Sequence, residues 1–172
     1  MTEALPQTEA EALAELRGKT TLSEILQVAT RFEETARDFY VGLVPKVSKR
    51  IRYLVEELAE EEKRHVVLFT DLAQRADLAE EIKTERYRTA ADSKFSDCIH
   101  LPELGPNPDD QMVLQYAMGR EHAAMLHYTE LADTSEPGAI ADLFRMLADE
   151  ETQHKLQLEK LYYEIVHRGG GV

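Results

Sequence analysis

The chain holds one cysteine, Cys98, and no tryptophan among its 172 residues. One cysteine excludes an intramolecular disulfide. Without a Cys-x-x-Cys pair there is also no zinc ribbon and no sulfur-ligated iron. A reducing, cytoplasmic setting is the simplest home for such a sequence. No apolar run approaches the ~18 residues that span a bilayer, so no membrane partner is expected. The opening MTEALPQTEA has neither a basic nor an apolar region, so no secretory signal is expected. Cationic residues are scarce too: 20 Lys and Arg stand against 33 Asp and Glu, for a formal net charge of -13. Such a surface repels phosphate backbones, and nucleic-acid binding is not expected.

What is present is a soluble helical composition, 43% hydrophobic and 31% charged. Glycine and proline cluster at Gly18, Pro45, the stretch LPELGPNPDD at 101–110, Pro137–Gly138 and the tail GGGV. Between these breaks, apolar residues recur every three or four positions, which is the helical period, and strand-like alternation is absent. The spacing predicts helices over 21–44, 48–76, 109–134 and 138–167. Thr21 with Glu24 suits a capping box, and Asp109 suits an N-cap. The expected fold is all-α: a four-helix bundle with one long crossover, built from a duplicated helical hairpin. Its parts would be an N-terminal extension at 1–20, hairpins at 21–76 and 109–167, a crossover at 77–108 with a short helix near 78–88, and a flexible tail at 169–172.

The duplication is read position by position. The inward row of the second helix is Ile51, Leu54, Val55, Leu58, Glu62, His65, Phe69 and Leu72. Moved on by 89, it becomes Ile140, Leu143, Phe144, Leu147, Glu151, His154, Leu158 and Leu161. The row of the first helix is Ile25, Leu26, Ala29, Glu33, Ala36, Tyr40 and Leu43. Moved on by 88, it becomes Val113, Leu114, Ala117, Glu121, Ala124, Tyr128 and Leu131. Every pair matches in character, which is the mark of an internal repeat.

The repeat places Glu33, Glu62, Glu121 and Glu151 in rows otherwise given to leucine and isoleucine. A buried carboxylate without a counter-charge costs several kcal/mol or takes up a proton. No Lys or Arg recurs on the inward rows to pair with these acids. Two divalent cations would balance four carboxylates; protonated, mutually bonded acids are the metal-free alternative. The spacing suits a metal, because residues i and i+3 share a helix face about 4.5 Å apart along the axis. Glu62 with His65, and Glu151 with His154, are two such pairs, and Glu33 and Glu121 add one carboxylate from each remaining helix. That is the ligand set of di-iron carboxylate bundles, and oxygen with imidazole suits iron or manganese. Tyr40 and Tyr128, seven residues after Glu33 and Glu121, project along the same faces as candidate hydrogen-bond donors or redox-active neighbours.

The stretches FEETARDFY (32–40), EEEKRH (60–65), REHAAMLHY (120–128) and DEETQH (149–154) carry a family likeness. Over residues 20–166 the chain resembles the ferritin-like superfamily and, within it, the rubrerythrin-like proteins. The resemblance implies a centre of two iron ions, with manganese or zinc as substitutes. Glu33 and His65 would be terminal ligands to one metal, Glu121 and His154 to the other, and Glu62 and Glu151 would bridge them. Glu61 and Glu150 would each bond the histidine of the other metal, as a ligating imidazole requires. His100, His122, His127 and His167 are expected to be non-ligands, and Cys98 to have no redox role.

Two departures shape the expected function. The single cysteine leaves no rubredoxin module in these residues, so electrons would come from a separate donor such as a rubredoxin-type protein. The position of an extra rubrerythrin glutamate is Ala124, which makes Fe(II) oxidation as good a match as peroxide reduction. The resemblance thus implies a non-haem di-iron oxidoreductase reacting with peroxide or dioxygen. A ferroxidase or iron-storage protein is the first alternative, and a structural bundle holding zinc or no metal the second. Long helical faces of this kind imply a homodimer.

Overall fold

The computed structural model describes residues 21–75 and 104–168. The N-terminal extension, most of the crossover with its short helix, Cys98, His100 and the tail lie outside those residues. Four helices make up the described chain: α1 (Leu22–Leu43), α2 (Lys49–Ala73), α3 (Asp110–Thr134) and α4 (Ala139–Arg168). Among the described residues there is no strand. The fold class is the expected all-α one, with helices packed in pairs as a four-helix bundle requires. No helix among the described residues is long and apolar enough to cross a membrane.

Local chemistry sets the helix starts. Thr21 Oγ1 accepts from the Glu24 N–H at 3.2 Å, and Glu24 Oε2 accepts from the Thr21 N–H at 3.0 Å. This is the reciprocal capping box that satisfies two otherwise orphaned donors. Asp109 caps α3 by accepting from the Met112 N–H at 2.8 Å. Ser48 immediately precedes α2, its hydroxyl accepting from the Arg50 N–H at 3.1 Å. Observed ends fall within three residues of the expected ones; the largest difference is at α2, which stops at Ala73 rather than 76.

Two compact units divide the chain. The first holds α1 through Gly42 and α2 from Val55; the second holds residues 43–54 with α3 and α4. In the first unit Ile25, Leu26, Ala29, Phe32, Ala36 and Tyr40 of α1 are buried, with Val55, Leu58, Phe69 and Leu72 of α2. In the second, Val113, Leu114, Ala117, Ala124, Tyr128 and Leu131 of α3 are buried, with Ile140, Phe144, Leu147, Leu158 and Leu161 of α4. Tyr128 stacks on Phe144 with ring centroids 6.3 Å apart. The start of α2 is tied into the second unit, where the Ser48 N–H donates to Asp110 Oδ1 at 3.1 Å and Arg50 Nη2 donates to the Glu164 carbonyl at 3.1 Å. The inward rows are therefore those read from the repeat, except that Leu143, near the exposed α3–α4 loop, is only half-buried.

Core packing should outweigh capping. Phe144→Ala, which empties a fully buried site, is expected to cost about 3–5 kcal/mol, and Asp109→Ala about 1 kcal/mol. Urea unfolding of the two variants checks this order; similar losses would contradict it.

Candidate metal centre

In the first unit the inward stripe of α1 runs Ala29, Glu33, Ala36, with small residues one turn either side of the carboxylate. The facing stripe of α2 brings Glu62 and His65, one turn apart. Glu33, Glu62 and His65 are 0%, 1% and 5% exposed. His65 Nδ1 lies 3.4 Å from Glu62 Oε2 and 3.7 Å from Glu33 Oε2. One ligand atom from each of the three falls within 4.8 Å of the others.

The second unit repeats the arrangement. Glu121 sits on α3 between Ala117 and Ala124, while Glu151 and His154 sit one turn apart on α4, and all three polar groups are buried. His154 Nδ1 lies 3.3 Å from both Glu121 Oε2 and Glu151 Oε2. These three also bring one ligand atom each within 4.8 Å of one another. In both units Nδ1 is the imidazole atom turned toward the carboxylates. The sequence repeat is thus a repeat of side-chain geometry.

Burial first, and then the charge of Glu62, push the Glu33 carboxyl from 4.5 up to about 7; His65 pulls the other way. At His154 burial opposes the charged ring. Hydrogen bonds to Glu121 and Glu151, and then their charges, outweigh it and raise the imidazole from 6.5 to about 11. Burial thus drives the shift at Glu33, whereas at His154 the two neighbouring carboxylates overcome burial; both follow from placing carboxylates together away from water. A divalent cation would supply positive charge there more fully than a proton does. Two carboxylates and one imidazole, all buried and mutually within ligand range, are a hard oxygen and nitrogen donor set suited to iron, manganese or zinc. A metal there would displace the protons, because imidazole and carboxylate ligate in their unprotonated forms.

Tyr40 and Tyr128 are buried, at 0% and 1% exposed, on the same helical rows as Glu33 and Glu121. Glu61 is half-buried and pairs with Arg64 on its own helix at 3.1 Å, and Glu150 is exposed. His122 is half-buried and His167 exposed. His127 is buried, at 3% exposed, without belonging to either ligand group.

One buried cation lies off the inward rows. Arg120 is 1% exposed, and its Nη1 lies 3.5 Å from Glu121 Oε1. The inward rows hold no Lys or Arg, as expected, but in the second unit a cation one position off the row reaches a glutamate on it. Arg120 precedes the inward row by one position, about 100° around the helix, but its long side chain stays inside the protein.

The raised values fix a pH dependence for protein stripped of metal. An acid whose folded pKa is raised, as at Glu33, burdens the fold above 4.5 and fully so above about 7. A base whose folded pKa is raised, as at His154, stabilises the fold fully below 6.5 and loses that contribution as pH climbs through about 11. Both make chelator-treated protein weaken as pH rises, and Glu33→Gln should flatten the fall between 4.5 and 7. Urea midpoints across that range test this; an unchanged slope in the variant would contradict it.

Comparison with known proteins agrees with this geometry. The profile of the rubrerythrin family matches residues 24–100 and 112–167, a span that includes all six clustered glutamates and histidines. No curated protein and no solved structure gives a significant match. With the family profile covering most of its length, the chain belongs to the rubrerythrin family.

Proposed function

We propose that the two triads form one di-iron centre and that the protein is a non-haem di-iron oxidoreductase reacting with peroxide or dioxygen. The observation that carries this reading is the matched pair of buried Glu-Glu-His triads in a chain of the rubrerythrin family. Glu33 and His65 would hold one iron, Glu121 and His154 the other, and Glu62 and Glu151 would bridge. Iron is favoured because the donors are oxygen and nitrogen and the family typically binds iron. A di-iron centre supplies two electrons, one from each iron passing from ferrous to ferric. Reduction of peroxide to two waters also takes up two protons.

The residues around the centre have the remaining work. Tyr40 and Tyr128 are buried phenols able to donate a hydrogen bond to a ligand carboxylate or to pass a proton or electron. The leucines and phenylalanines of the same rows keep bulk water away, which confines the oxidant's chemistry to the centre. Glu61 and Glu150 would fix the tautomer of the histidine opposite. Return to the ferrous state needs a separate electron donor, for which a rubredoxin-type protein is the proposed partner. The working unit is proposed to be a cytoplasmic homodimer.

A second reading is favoured by Ala124. It is buried, at 2% exposed, one turn after Glu121, where the rubrerythrins resembled carry a further glutamate. Without that group the centre suits Fe(II) oxidation and iron handling as well as peroxide reduction. Anaerobically loaded ferrous protein mixed with peroxide or with oxygen separates the two. Faster oxidation by peroxide, with iron held at two per chain, supports the peroxidase; faster oxidation by oxygen, with continued iron uptake, supports the ferroxidase. Zinc retained through purification with no reaction toward either oxidant would overturn both.

Substitution tests the ligand roles. Glu62→Ala or Glu151→Ala should abolish binding of both metals. His65→Ala should weaken mainly one, by more than the 10–100-fold that outer partners of a ligand typically command. Two-metal binding at unchanged affinity in Glu62→Ala would sink the bridging assignment.

A further inference from the structure

The internal repeat is broken at a buried position beside a ligand carboxylate. Phe32, immediately before Glu33, corresponds to Arg120, immediately before Glu121, 88 residues on. Both side chains are interior, at 2% and 1% exposed. In α1 the neighbour of the carboxylate is therefore hydrocarbon. In α3 it is a guanidinium whose Nη1 lies 3.5 Å from Glu121 Oε1. Arginine stays charged whatever its surroundings, and a buried charge keeps its partner because separation leaves it uncompensated.

The consequence is a difference in charge between two otherwise matched triads. Glu33 and Glu62 with a neutral His65 carry -2, which one divalent cation cancels. Glu121 and Glu151 with a neutral His154 also carry -2, but the Arg120 guanidinium set against Glu121 opposes a divalent cation there, and nothing of that kind stands at the matching Phe32. The cation must also share Glu121 with the guanidinium. Resting on the di-metal reading above, we propose that Arg120 is a positioning residue that makes the two metals unequal. The Glu33–Glu62–His65 triad loads first, and the Glu121–Glu151–His154 triad holds its metal more weakly and releases it first. The matched ligand sets then hide one firmly held metal and one exchangeable metal, a division set by a residue that is not itself a ligand.

Titration of the metal-stripped full chain with cobalt(II), followed by ligand-field absorption against a competing chelator, tests this. Two binding steps are expected, separated on the order of 10–100-fold, the range that partners of ligands command. His154→Ala should remove the weaker step and His65→Ala the tighter one. Arg120→Met should strengthen the weaker step and merge the two. Arg120→Lys, which keeps the charge, should keep them apart. Two equal steps in the unsubstituted protein, or an unchanged separation in Arg120→Met, would overturn the proposal. A merely structural arginine would lower both affinities together, which also overturns it. Should Arg120→Met fail to fold by circular dichroism, Arg120→Gln gives the same readout, and the order of loading in the unsubstituted protein against His154→Ala decides without either. Fewer than two cobalt ions per unsubstituted chain would instead mean that the di-metal reading has failed.

Discussion

Two carboxylates and an imidazole converge in each unit at positions that helix packing would otherwise give to leucine. Removing a carboxylate from water costs more than most single contacts contribute unless a positive charge meets it, and here four carboxylates are buried in two groups. The response of the protein alone is visible in its protonation. Glu33 moves toward neutrality, and the carboxylates around His154 draw a proton onto that ring. Both changes reduce the negative charge of the cluster, and the same geometry offers each triad's donor atoms to one cation.

The surrounding fold follows from that constraint. Alanines flank Glu33 and Glu121 on α1 and α3, leaving room for the carboxylates, while Leu58, Phe69, Leu147 and Leu158 seal the rows on α2 and α4. Helix is the right carrier because its pitch puts a glutamate and a histidine three residues apart onto one face. Tyr40 and Tyr128 continue the α1 and α3 stripes beyond the acids, and Tyr128 is braced against Phe144. Capping by Thr21 and Asp109 fixes where α1 and α3 begin, and so the rotation at which each row arrives at the core.

Much of this was legible in the sequence because the repeat supplied a second reading of every position. A lone Glu-x-x-His on a charged helix signals little. Two of them, at a constant offset and each matched by a glutamate on the preceding helix, separate inward acids from the many that are solvated. The structure buries all six. Arg120 was not legible in this way because its Cα lies one step, about 100°, off the inward row. A flexible side chain can nevertheless lie back along the interior. The signal that would have found it was the repeat itself, since the matching position is a phenylalanine that belongs in the core. Helix ends were less legible than helix faces, as at the end of α2, because fraying residues carry no packing pattern. Which oxidant is used was not legible, since ligand identity fixes a centre without fixing its substrate.

The central proposal is that the two triads would act as one centre, with Glu62 and Glu151 shared between two metals. Electron paramagnetic resonance of the iron-loaded, fully oxidised protein tests it most directly. Two ferric ions held by shared Glu62 and Glu151 would couple their spins, so the account predicts a loaded protein with almost no high-spin ferric signal at low temperature. A signal integrating to the full iron content would mean two isolated ions, and would contradict the account.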